Sequence, residues 1–91
     1  MARVVVTLTI NPESPDVNLG KLEEEAKKEI TSFGGDVGKV EIEPMAFGLK
    51  AIKLIFIADE AKSNYDPLEQ KVSQLPGVAS ARVTDVRRTI G

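Results

Sequence analysis

Met45, Ala46 and Phe47 lie between Pro44 and Gly48, three apolar residues in a stretch whose ends ask for a turn. A turn has no ladder or helix face in which to bury them. Either Phe47 folds back to cap an open end of the core, or it is an aromatic anchor for a partner protein, the residue type that dominates interfaces. A second group is Thr84-Asp85-Val86-Arg87-Arg88. Its adjacent guanidinium groups are either a solvated chain end or a clamp for carboxylates or phosphates on a partner. A third group, Glu23, Glu24, Glu25 and Glu29, suits a solvated helix face or the steering of a partner. Asp59, Glu60 and the other carboxylates lack the spacing of a calcium or magnesium loop, so no metal site is assigned.

The chain of 91 residues contains no cysteine and no histidine. That removes disulfides, a thiolate nucleophile, a Cys/His zinc site and an imidazole base, so a self-sufficient enzyme is not expected. A formal net charge of −2 argues against a protein that coats nucleic acid. Three Phe, one Tyr and no Trp do not furnish an aromatic platform for RNA bases. Gly34-Gly35 ends a helical pattern where a phosphate-cradling loop would begin one, and no cofactor is implied. No apolar run approaches the ~18 residues of a membrane span. The expectation is one cytoplasmic domain over residues 1–91, with small-ligand or protein binding as the open classes.

These groups must be positioned by regular elements. Arg3 to Ile10 alternates with Val4, Val6, Leu8 and Ile10 on one face, as a strand does, and Asn11 to Val17, with two prolines, reads as a connection. Asn18 is a plausible N-cap for a helix striped by Leu19, Leu22, Ala26, Ile30 and Phe33. Val37 to Glu43 alternates apolar and charged residues as an edge strand would. Leu49 to Ala58 is the most apolar segment; Ile52, Leu54 and Phe56 point to the helices, and Lys53 implies a partly wet opposite face. A second helix carries Tyr65, Leu68, Val72 and Leu75, with Pro67 in its first turn, Ser63 or Asp66 as cap, and Asp66 with Glu69 as a capping box. Val78 to Val86 forms the last strand, with Ala79, Ala81 and Val83 toward the core.

The order strand, helix, strand, strand, helix, strand predicts an α+β ferredoxin-like fold (βαββαβ), a four-stranded antiparallel sheet with two helices on one face. Right-handed crossovers put the first and third strands at the centre.

Asn11-Pro12-Glu13-Ser14-Pro15-Asp16-Val17, Pro44-Met45-Ala46-Phe47-Gly48-Leu49-Lys50 and Thr84-Asp85-Val86-Arg87-Arg88, in that order and over the whole chain, resemble the archaeal elongation factor 1-beta family. The resemblance implies a guanine-nucleotide exchange factor that promotes GDP release from, and GTP reloading of, the translational GTPase elongation factor 1-alpha, without covalent chemistry. The partner would be met in its GDP-bound and nucleotide-free forms, with no direct contact to nucleic acid. The implied contact residues are Met45, Ala46, Phe47, Gly48, Leu49 and Lys50, together with Thr84, Asp85, Arg87 and Arg88. Eukaryotic relatives have a lysine near the C-terminus that intrudes on the magnesium site; Arg87-Arg88-Thr89-Ile90-Gly91 stands here instead, and Arg87 or Arg88 is expected to supply the cation. The competing expectations are an ACT-like small-ligand module, suggested by Leu75-Pro76-Gly77-Val78, and a subunit that pairs through its sheet face or edge.

Overall fold

Alternation of β-branched and polar residues produces the first strand, β1 (Arg3–Pro12), in which Val4, Val6, Leu8 and Ile10 are buried and Val5, Thr7 and Thr9 are half-buried. The computed structural model describes residues 3–61 and 64–88. After β1 come α1 (Leu19–Phe33), β2 (Asp36–Pro44), β3 (Lys50–Asp59), α2 (Asp66–Ser73) and β4 (Val78–Arg88). The strands form one antiparallel sheet in the order β2-β3-β1-β4. The expected ferredoxin-like arrangement is therefore present, with the two most apolar strands at its centre.

Across that centre Val6 faces Phe56, Leu8 faces Leu54 and Ile10 faces Ile52, and all six side chains are fully buried. Leu22, Ala26 and Ile30 of α1 and Leu68 and Val72 of α2 close the core over them. α1 begins as its composition predicts, with the Asn18 Oδ1 accepting from the Lys21 N–H at 3.1 Å. It ends at Gly34, whose φ of 107° lets its N–H reach the Ile30 carbonyl. Gly35 has a different role: a Cβ there would lie 2.6 Å from the Phe56 ring, so the turn rests directly on the core.

Four local expectations are corrected. β1 continues through Asn11 and Pro12, because the ladder shifts register between them and Pro12 meets Val78 where the strand ends. Ala79 is exposed and does not face the core: it is the extra residue of that register shift, and Val78, Ala81 and Val83 point inward instead. β4 also runs on to Arg88, which pairs with Val4. The Asp66–Glu69 capping box is absent, since the Glu69 Oε2 accepts from the Val83 N–H on β4 at 2.6 Å, and the Asn64 Oδ1 accepts from the Asp66 N–H. Tyr65 holds the cap position; Pro67 is in the first turn as expected, and Ser63 lies outside the described residues.

Candidate functional site

The β2–β3 connection is a hairpin tip built for display. The Met45 N–H donates to the Leu49 carbonyl at 2.7 Å, the Leu49 N–H donates to the Ala46 carbonyl at 3.3 Å, and one 3-10 turn, Ala46–Gly48, lies between. Phe47 has φ 62° and ψ 27°, the one left-handed non-glycine among the described residues, and Gly48 follows at φ 75°. An aromatic residue there is strained by about 1–2 kcal/mol. Its ring does not fold back: Phe47 is 94% exposed, which rules out the core-cap alternative. Met45 and Ile42 are 46% and 44% exposed, and every residue from Glu41 to Gly48 is exposed. The tip is thus an apolar projection on a charged edge strand. Leu49 is half-buried and Lys50 exposed beside it. Pro12, Pro15, Leu19, Gly48 and Lys50 line a shallow cleft of about 150 Å³ at its base.

The second group is shaped by another register shift. Thr7 pairs with Asp85 but Leu8 with Val83, so Thr84 is the extra residue of a bulge; its Oγ1 lies 2.9 Å from the Thr9 Oγ1. Beyond it, Asp85 and Arg87 sit opposite Thr7 and Val5 on the sheet face away from the helices, while Val86 and Arg88 sit opposite Val6 and Val4 on the helix side. Adjacent arginines therefore point to opposite faces. Each already has a carboxylate: the Arg87 Nε donates to the Asp85 Oδ2 at 3.0 Å, and the Arg88 Nη2 donates to the Glu60 Oε1 across the end of β3. Both arginines are exposed, with Asp85 exposed and Glu60 half-buried, so the pairs hold the cations in place at little energetic gain.

The two groups are not brought together. Pro44–Lys50 and Pro12–Val78 pairings mark one end of the sheet, and the Val4–Arg88 pairing the other. Eight steps along β1 at ~3.3 Å each put Arg88 roughly 26 Å from the tip's end of the sheet, whereas Thr84, beside Thr9, and Asp85, opposite Thr7, lie nearer the middle of the strand. A single partner pocket cannot hold both Phe47 and the two arginines.

Elsewhere on the open face, the Lys53 Nζ lies 2.5 Å from the Glu43 Oε2. That hydrogen bond, then the charge of Glu43, holds the Lys53 ammonium above its usual pKa. No group of three metal-ligating side chains converges among the described residues. None of their helices is long and apolar enough to cross a membrane. Two participants escaped sequence reasoning. Ile42, the apolar position of β2 nearest the tip, is 44% exposed, and its signal was its place at the end of that strand's apolar alternation. Glu60 holds Arg88, a contact between residues far apart in the chain for which the sequence carries no signal.

Residues 5–89 match the family model for the EF-1 guanine nucleotide exchange domain. The elongation factor 1-beta of Methanothermobacter thermautotrophicus is 39% identical over 88 residues, covering 97% of this chain and 98% of that one. That of Methanobrevibacter smithii is 41% identical with the same coverage, and that of Staphylothermus marinus 38% identical over 97% and 98%. Among solved structures, the C-terminal domain of MgtC from Mycobacterium tuberculosis superposes with a TM-score of 0.61 at 13% identity, over 92% of this chain and 86% of that one. The ACT domain of the Chlorobium tepidum GTP pyrophosphokinase gives 0.57 at 18% identity, over 88% and 96%. These two likenesses are of fold alone, including the one to an ACT domain.

Proposed function

The chain belongs to the EF-1 guanine nucleotide exchange family, and we propose from that premise how it acts on elongation factor 1-alpha, its exchange partner. It grips the GTPase at two places. The hairpin tip, with Phe47 as anchor flanked by Met45, Ala46, Gly48, Leu49 and Lys50, enters an apolar recess. The second half of β4, with Thr84 and Asp85 near its middle and Arg87 and Arg88 at its far end, reaches toward the phosphate and magnesium region. The observation that carries this reading is Phe47, an aromatic 94% exposed and held in left-handed backbone where no contact within the fold repays the strain.

No bond need be made or broken, and no cofactor is required. The factor binds the nucleotide-free GTPase more tightly than the GDP-bound form, and by linkage that difference weakens GDP binding by the same factor. About 4 kcal/mol corresponds to roughly a thousandfold. Burial of one phenylalanine supplies about 1.5–3 kcal/mol of affinity, though it drives exchange only so far as the recess opens when nucleotide leaves. A cation near the magnesium acts against the nucleotide-bound form alone, because it competes with the ion for phosphate charge. Sheet length matters here: a grip roughly 26 Å long can report to one end of the GTPase what is bound at the other. The setting is the cytoplasm, where the GTPase reloads with GTP for translation.

The test is a pair of titrations, of the factor onto nucleotide-free and onto GDP-saturated elongation factor 1-alpha. The reading expects the nucleotide-free form to bind at least about a hundredfold more tightly. Equal affinity for the two forms would remove the mechanism.

A further inference from the structure

The sheet face turned away from the helices carries a charge pattern that fits its own copy. Read from β2 to β4, one row is Asp36, Ile57, Val5, Arg87. The next is Lys39, Ile55, Thr7, Asp85, and the third Glu41, Lys53, Thr9, Arg82. In each of these three rows the two edges carry opposite charges, and the sign alternates from row to row; beyond the third, the β2 edge carries Glu43 and the β4 edge the uncharged Ser80. Between the edges the face is apolar or hydroxylic except for Lys53, whose ammonium is paired with Glu43, and Ile57 is 37% exposed.

We propose that this face is a self-complementary docking surface for a second copy of the chain, packed face to face about a two-fold axis parallel to the strands. Such an axis exchanges the β2 and β4 edges and keeps each row in place. Asp36 then meets Arg87 of the second copy, Lys39 meets Asp85, and Glu41 meets Arg82, each twice by symmetry. Ile57 meets Val5, and Ile55 meets Thr7. The other two-fold, across the strands, sets Lys39 on Lys39, Asp85 on Asp85 and Arg87 on Arg82, all like charges. The pattern thus selects one orientation and opposes the alternative. Long arginine, lysine and glutamate side chains tolerate the ~30° crossing of aligned sheets. The Lys39–Glu41 and Arg87–Asp85 pairs within each copy are exposed, so they can be shared with the second copy at small loss.

Four strands about 4.8 Å apart and three rows that together cover ~20 Å of strand give roughly 400 Å² per copy. About 800 Å² in total is below the size of a stable specific interface, so the dimer is weak and depends on concentration and salt. The pairing does not depend on the proposed exchange mechanism, but it covers Asp85 and Arg87, which that mechanism places against the GTPase, so dimer and GTPase compete for these two residues and only the monomer engages the GTPase through them.

Analytical ultracentrifugation of the full chain from about 10 μM to about 1 mM, in low and in high salt, tests it. The proposal expects the mass to rise toward the dimer in low salt and to fall back in high salt. Glu41→Arg and Arg82→Glu each weaken the dimer at least about tenfold, with an unchanged circular dichroism spectrum. An equimolar mixture of the two variants recovers it, because each introduced charge then faces its complement. A monomer throughout the low-salt range, a dimer indifferent to both substitutions, or a mixture no better than its components would each overturn the proposal.

Discussion

Phe47→Ala and Phe47→Gly separate a display residue from a structural one. Phe47 is 94% exposed, so truncation to alanine removes almost no buried surface and leaves the same left-handed backbone strain. Folding stability should change by less than about 0.5 kcal/mol. Glycine relieves about 1–2 kcal/mol of strain in the folded state but adds about 0.4–1 kcal/mol of chain entropy to the unfolded state. The net is neutral to slightly stabilising. For a chain of this size 1 kcal/mol moves the midpoint by about 4–8 °C, so both variants should melt within a few degrees of the wild type, glycine the higher. A ring that capped the core would instead lose about 3–5 kcal/mol on truncation, a drop of more than ~12 °C. Thermal denaturation followed by circular dichroism decides between them, and a drop of that size in the alanine variant would refute the display account. The same two variants should lose at least ~2 kcal/mol of affinity for elongation factor 1-alpha, roughly thirtyfold, as buried aromatic anchors do.

Glu69 ties α2 to β4 through the Val83 N–H at 2.6 Å, so Glu69→Ala should cost about 1–3 kcal/mol in urea denaturation, while Glu69→Gln, which keeps an acceptor, should cost less. An alanine variant as stable as the wild type would mean that this bond contributes nothing. Because Arg87 and Arg88 project from opposite faces, their charge reversals should not be equivalent in stopped-flow nucleotide release: one should slow it by at least about tenfold and the other by less than about threefold. Two equal effects would contradict the strand parity, and two null effects would remove the arginines from the site.

Most of the fold was legible because burial imposes its period on composition. The Val4–Ile10 alternation, the Leu22–Ala26–Ile30 stripe and the polar edge of β2 each had one structural solution. What escaped was what periodicity does not encode. The β4 bulges at Ala79 and Thr84 shift its phase by one residue each, and nothing in Val-Ala-Ser-Ala-Arg-Val-Thr-Asp announces them. Glu69 lay at the right spacing to cap its own helix, but the peptide N–H of Val83 competed for it successfully. The exposure of Phe47 could not be decided from a turn sequence compatible with both outcomes. The separation of the tip from Arg87 and Arg88 was legible in principle: β3 and β4 are both antiparallel to β1, so the start of one and the end of the other must lie at opposite ends of the sheet.

The central claim is that the two ends of this sheet together loosen GDP from elongation factor 1-alpha. Release of a fluorescent GDP analogue from that GTPase, chased with GTP and seeded with the factor at about one-tenth of its concentration, tests it most directly, since only a factor that turns over can act in substoichiometric amount. The account predicts a large acceleration that Phe47→Ala nearly abolishes and that charge reversal at one arginine of β4 also reduces. No acceleration with an active GTPase, or full acceleration by the Phe47→Ala variant, would contradict it.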